Sequence, residues 1–353
     1  MRRAYGIGSI VALLTVMVLL EGCASEWTMR EQRPLSALQW PNQPAMSRIA
    51  YVSSMNGFER GGSASSVVKN VIFGLSGDVN SDAFGVPVAV AAGQDGRLAV
   101  ADSGCRCVHW YLPTERKYLR IASTGSGELK SPVSVVFDDE QRLYVSDSVA
   151  GRILVFGSDG VFLAAISASG TGSLKRPTGL AYDRKNRVLY AVDTADHQVH
   201  AFDRSGNFLF SFGERGDANG QFNFPTHIAW SPAGLLYVTD AMNFRIQIFD
   251  EQGRFRTAFG HHGDMSGDLA MPKGVAADRN GTVYVVDALF DALQLFNERG
   301  EFLLTVGSRG NEFGEFYMPS GIFIDDADRL YLCDTYNRRI QIFSITGNGA
   351  YAN

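Results

Sequence analysis

Polar and apolar positions alternate through most of the chain at the period of a β-strand, and the segment 226–259 shows the pattern in full. Residues 226–230 form a short apolar run, and Ser231, Pro232, Ala233 and Gly234 supply a turn. A second run covers residues 235–240. The third covers 244–249, where Ile246 and Ile248 alternate with Arg245 and Gln247. Residues 250–253 turn the chain again, and 255–259 make a fourth run that ends at Gly260. The pattern predicts four antiparallel strands joined by tight turns.

The same unit recurs six times. Each copy opens near a P-x-G and closes near L-Y-V-x-D-[ST]-x-N-x-R-I-x-[VI]-F. The openings are Pro87, Pro132, Pro177, Pro225, Pro272 and Pro319, spaced 45, 45, 48, 47 and 47 residues apart. The closing aspartates keep step at Asp102, Asp147, Asp193, Asp240, Asp287 and Asp334. Turn residues repeat at 183–186, 203–206, 278–281 and 297–300. Four short strands per period of 45–48 residues are the blade of a β-propeller. A blade exposes two apolar faces, so the six must close into a ring. The fold class is therefore all-β, a six-bladed β-propeller of four-stranded antiparallel blades.

The closing motifs sharpen this reading. Asp240-Ala241-Met242-Asn243-Phe244-Arg245-Ile246-Gln247-Ile248-Phe249 and its counterpart from Asp334 to Phe343 resemble NHL repeats, whose family forms six-bladed propellers. The resemblance covers roughly residues 75–346. Copy five places Phe290 and Ala292 at the Asn and Arg positions, and copy one places Cys105 and Cys107 there.

Copy six runs out of chain after Phe343, and an open blade edge invites aggregation. Residues 48–55 have strand composition, so the N-terminal segment is expected to complete the last blade, with the propeller spanning 45–346 and a tail at 347–353. Residues 65–73 carry apolar positions at helical spacing and predict a short helix; residues 71–74 compete as an edge strand.

Composition sets the address more than the chemistry. At 353 residues and 45% hydrophobic content the chain can build a large core, and its net charge of −5 gives no attraction for phosphate backbones, which argues against nucleic acid. Residues 1–22 read as a signal peptide: Arg2 and Arg3 precede an apolar stretch from Ile7 to Leu20, too short to span a bilayer. Leu20-Glu21-Gly22-Cys23 resembles the lipobox of bacterial lipoproteins, although Glu21 departs from the usual small or aliphatic residue. The resemblance implies cleavage before Cys23, acylation of that residue and stable anchoring. Ala24 after the cysteine implies the outer membrane, on its periplasmic or surface side. The polar, proline-bearing stretch up to residue 44 then reads as a tether.

Candidate chemistry gathers on the face carrying the loops between second and third strands. The six aspartates sit there. Several have a nearby arginine to pair with; Asp102 and Asp287 lack it and are the candidates for binding. His227 occupies the glycine slot of P-x-G at the channel mouth, with Lys273 one blade on. His227, His261 and His262, with His197 nearby, are the candidate metal ligands, though no H-x-x-x-H or H-E-x-x-H spacing joins them. Leu289 and Phe290 are a candidate hydrophobic anchor for a protein partner. In an exported chain disulfides persist, and Cys105, Cys107 and Cys333 leave three arrangements open: a C-x-C bridge, a bridge from Cys333 to one of the pair, or three thiols.

Catalytic patterns are missing. The sequence has no G-x-S-x-G elbow, no glycine-rich phosphate loop and no zincin helix, and no cofactor is implied. Six-bladed gluconolactonases and paraoxonase-like esterases hold calcium with channel carboxylates, whereas the mouths here present Val88, Val133, Thr178, Thr226, Lys273 and Ser320. NHL-type peptidylglycine lyases need several channel histidines. The expected function is a lipid-anchored, non-catalytic binding or scaffold module for a protein or extracellular ligand in the cell envelope. The alternative is a metal-assisted hydrolase or lyase with its site near His227.

Overall fold

The computed structural model describes residues 26–42, 48–61, 81–125, 127–170 and 172–346. The leader, Cys23, the helix expected at 65–73 and the tail at 347–353 lie outside them.

Within the described residues the chain is a ring of six antiparallel sheets, as the repeat requires. Strands are called A to D from the channel outward. Blade one is built from Pro87–Ala92, Leu98–Asp102, Cys107–Leu112 and Lys117–Ile121. Blade four is built from Pro225–Trp230, Leu236–Asp240, Arg245–Phe249 and Phe255–Phe259, within a residue of the apolar runs in the sequence. Blades two, three and five repeat the order, opening at Pro132, Pro177 and Pro272. A two-stranded hairpin, Ala168–Ser169 with Gly172–Ser173, follows blade two.

Blade six closes the ring with both ends of the chain. Ile322–Ile324, Arg329–Asp334 and Arg339–Ile345 supply strands A to C, and Ile49–Arg60 pairs with the last of these, Met55 opposite Ile340 and Ile49 opposite Ile345. The N-terminal strand therefore completes the blade.

The tether reading fails for the residues just before it. Trp27–Gln32 is a strand that covers the free edge of Ile49–Arg60, and Gln39–Trp40 pairs with Ile49 and Ala50. Trp27 and Met29 pack against the apolar cluster between blades six and one, which repays the ordering of a polar segment. Trp27 also ties to blade one: its N–H donates to the Arg116 carbonyl at 2.8 Å, and its ring meets Tyr118 at 4.7 Å. On Ile49–Arg60, Gly57 lets Ser81–Ala83 approach, since a Cβ there would lie 2.3 Å from the Asp82 carbonyl oxygen.

The core is distributed around the ring. Separate apolar clusters fill the interfaces between successive blades, each built from residues that alternate along strands A to C and point to opposite sides of their sheet. At the channel the strands A come so close in blades three, five and six that the third position of P-x-G there has to stay glycine. A Cβ on Gly179 would lie 2.8 Å from the Cα of His227, and one on Gly321 would lie 2.4 Å from the Val88 carbonyl oxygen. Hydroxyls lock neighbouring blades there: Thr194 Oγ1 donates to the Pro225 carbonyl at 2.6 Å, and Thr239 Oγ1 to that of Lys273 at 2.7 Å.

Candidate functional site

Two ends of the channel differ in what they present. Loops between strands B and C, with those from D to the next A, form one face. The turns between A and B form the other.

On the loop face, each closing aspartate organises its own blade. In blade four, Asp240 is fully buried and its Oδ2 accepts from Asn243 Nδ2 at 2.8 Å, Arg245 Nε at 2.8 Å and Gln247 Nε2 at 3.0 Å. Asp334 of blade six accepts from Asn337, Arg339 and Gln341 in the same way, at 2.9, 2.7 and 2.9 Å. Four residues after each aspartate the chain turns through a left-handed residue: Arg106, Gly151, His197, Phe244, Asp291 and Arg338 all have φ between 49° and 62°. The carboxylate collects the N–H groups that this tight loop leaves unpaired.

Asp102 and Asp287 follow the same rule, contrary to their selection as binding residues. Both are fully buried. Asp287 accepts from the N–H of Ala270 at 2.7 Å and of Leu289 at 3.1 Å; Asp102 accepts from Gly85 at 2.6 Å, Val86 at 2.9 Å and Gly104 at 2.8 Å. Backbone donors thus engage both carboxylates without an arginine, which residue identity alone does not reveal.

The position two residues after each aspartate points outward. It carries Val149, Met242, Leu289 and Tyr336 in blades two, four, five and six, exposed by 71%, 54%, 58% and 61%, and Gly104 and Ala195 in blades one and three. Loops entering strand A add exposed Phe224, Met265 and Tyr317 to this apolar crown. Leu289 was legible in the sequence; the other three share its repeat slot and were overlooked. Phe290 is half-buried, so Leu289 is the exposed member of that pair.

The histidines proposed as metal ligands are not gathered. His261 pairs with Asp268 at 2.7 Å, His262 packs against Phe244 at 4.4 Å between ring centroids, and the Nδ1 of His197 accepts from the N–H of Phe224, in the loop entering blade four, at 3.2 Å. His227 lines the channel with its Nδ1 3.0 Å from Thr226 Oγ1. Burial pushes its pKa down to about 3, and the Lys273 ammonium adds to the shift. Lys273 is lowered by burial as well, with Asp287 opposing.

The turn-face half of the channel is a cavity of about 390 Å³ with His227 at its inner end. Tyr182, Trp230 and Phe323 contribute apolar wall, and Arg184, Arg279 and Asp326 stand at the mouth. Arg184 of blade three reaches Asp326 of blade six at 2.8 Å, so an ion pair spans the opening. Arg279 holds the same turn through Asp328 at 3.0 Å.

Blade one departs most from the repeat. Cys105 and Cys107 are joined by a disulfide with Cα atoms 5.3 Å apart, and Cys333 is a buried free thiol whose pKa burial pushes up. This selects the C-x-C arrangement among the three left open. His109 takes the place of Gln247 and Gln341, with Nε2 3.3 Å from Asp102 Oδ2. Burial would raise the Asp102 carboxyl, but His109 and the N–H groups of Val86 and Gly85 outweigh it and hold the pKa down to about 2.

Comparisons with known proteins agree on this architecture. A family model described as a 6-bladed beta-propeller matches residues 274–351. No curated protein matches the sequence. Among solved structures, an auxiliary nutrient binding protein from Bacteroides ovatus is 16% identical over 76% of this chain and 71% of that one, with a TM-score of 0.58. Virginiamycin B lyase from Staphylococcus aureus is 11% identical over 74% of this chain and 95% of its own, at 0.55. A gluconolactonase from Xanthomonas campestris is 16% identical over 74% and 88%, at 0.56. The chain is a β-propeller. At these identities the likeness establishes the fold and nothing about ligands.

Proposed function

We propose that this protein is an exported, lipid-anchored binding module of the cell envelope whose loop face captures a protein partner. The observation that carries the reading is the apolar crown. Four large apolar side chains occupy one repeat slot and stay in water, while glycine and alanine fill that slot in blades one and three. The fold therefore does not need large residues there. Exposed apolar side chains grouped on one loop face of a rigid scaffold mark an interaction site, and these surround a channel mouth rather than a core. An auxiliary nutrient binding protein among the similar structures lends the binding reading support, and the leader ending in Gly22-Cys23 supports the anchor. The hydrolase or lyase alternative at His227 loses its other two ligands, because His261 pairs with Asp268 and His262 packs against Phe244.

The test is capture from envelope membranes by the wild type and by Met242→Ser with Leu289→Ser. The double variant is expected to lose most of the partner while melting within a few degrees of the wild type. Unchanged capture, or capture lost only on Arg184→Ala at the opposite mouth, overturns the assignment of the face. Intact mass of the mature chain checks the anchor: acyl mass on Cys23 is expected, and its absence removes that part of the proposal.

A further inference from the structure

Blade one has exchanged three donors of the repeat together. Blades four and six use Asn, Arg and Gln three, five and seven residues after the aspartate; blade one has Cys105, Cys107 and His109 at those positions. Each lost residue donates hydrogen bonds, and each replacement is a ligand for a soft or borderline metal ion. The two sulfurs and His109 Nε2 all lie within 4.8 Å of one another, the nitrogen 3.7 Å from Cys105 Sγ and 3.6 Å from Cys107 Sγ.

The surroundings fix the imidazole with Nε2 toward the sulfurs. On its other side Nδ1 is 2.7 Å from the Tyr118 hydroxyl, which donates onward to Asp82 Oδ2 at 2.6 Å. A histidine tied through its far nitrogen to a hydroxyl and carboxylate has the outer support of a metal-binding histidine. Phe58 and Phe84 wall the ring, at 6.3 and 5.1 Å between centroids. Cys107 and His109 are fully buried, and Cys105 is the member that reaches solvent on the loop face. Asp102, 3.3 Å from Nε2, supplies negative charge beside the cluster.

We propose that Cys105, Cys107 and His109 form a redox-gated site for a soft or borderline divalent cation of the zinc class, with the disulfide as its closed form. Opening requires a dithiol reductant. Its two thiols become a disulfide, the Cys105–Cys107 bond breaks, and each cysteine gains a proton. On binding, each thiol releases its proton to solvent and its sulfur takes the cation, while His109 Nε2 contributes a lone pair. Three protein ligands leave a fourth position for water or a ligand atom arriving at the loop face.

The test uses the full chain, oxidised or reduced with dithiothreitol and desalted without oxygen, titrated with cobalt(II) and then zinc(II). Thiolate-to-cobalt charge-transfer absorption is expected at one cobalt per chain in the reduced protein only, bleached by zinc. Cys105→Ser is expected to abolish the band. His109→Gln, which restores the residue of blades four and six, is expected to weaken binding markedly with the fold retained, since it removes one of three ligands. Cys333→Ala is expected to leave the band intact. A reduced wild type without the band, equal binding by the oxidised form, or loss of the band in Cys333→Ala with Cys105→Ser still binding would each overturn the proposal.

Discussion

Blades four and one depart from the same repeat at opposite ends of the sheet. Blade four keeps the loop network of Asn243, Arg245 and Gln247 around Asp240, and puts His227 in the channel slot where small residues otherwise stand. Blade one keeps a small residue, Ala89, in that slot and replaces the loop network with Cys105, Cys107 and His109. The two histidines meet contrary surroundings. His227 has burial and a lysine beside it, and is held neutral. His109 lies between the Asp102 carboxylate and Tyr118, which itself binds Asp82. A propeller thus tolerates new chemistry at either end, provided the hydrogen bonds of the aspartate are met by other donors.

The largest effect separating the two blades is expected from Arg245→Ala. The guanidinium donates to Asp240, to the Ala218 carbonyl at 2.8 Å and to the Gln221 carbonyl at 3.0 Å, almost wholly buried. Removing one partner of such a pair costs about 3–5 kcal/mol. The melting temperature should fall by on the order of 10 °C. A fall of a degree or two would mean that Asn243 and Gln247 suffice, as backbone donors do in blade one.

A smaller effect is expected from pH at the other end of blade four. The native His227 takes up a proton only near pH 3, whereas the unfolded chain does so near 6.5. Below 6.5 the unfolded state therefore binds more protons, so stability falls as the pH drops from 6.5 toward 3. His200, also lowered by burial, acts in the same direction. His227→Asn should shrink the loss measured by urea denaturation between pH 7 and pH 4. An unchanged loss would place the titration elsewhere.

Least is expected from Cys105→Ser in blade one. The disulfide closes a loop of only three residues, and such a loop restricts the unfolded chain by about 2 kcal/mol or less. Unfolding midpoints of wild type and variant should differ by no more than a few degrees. A loss as large as that of Arg245→Ala would make the bridge a structural replacement for the arginine.

The loop chemistry also shows how far residue patterns reach. Leu289 stood out because it lies beside a lost arginine, while Val149, Met242 and Tyr336 in the same slot looked like ordinary strand-end residues until their exposure was seen. C-x-C-x-H was present as a string, but its ligand geometry depends on Tyr118 and Asp82, contributed by an outer strand and by a segment before the first repeat. The pairing of Asp102 and Asp287 with main-chain N–H groups was hidden because every residue type except proline carries the same donor. Residues 27–32 looked like a linker because they are mostly polar; their partner edge exists only once Ile49–Arg60 is seated in blade six.

What the sequence determined by itself was the periodic part. Strand alternation, turn chemistry and the six-fold spacing are local properties, and a repeated unit with two apolar faces can bury them only against copies of itself. The missing last strand of copy six likewise predicted that the N-terminus would fill it. Tertiary structure alone decided which histidine meets sulfur and which meets solvent, which cysteines join, and which apolar residues remain outside. Cys105, Cys107 and His109 are close in sequence, but the contacts that orient and bury them, like those that leave the apolar residues outside, come from segments that become neighbours only when the ring closes.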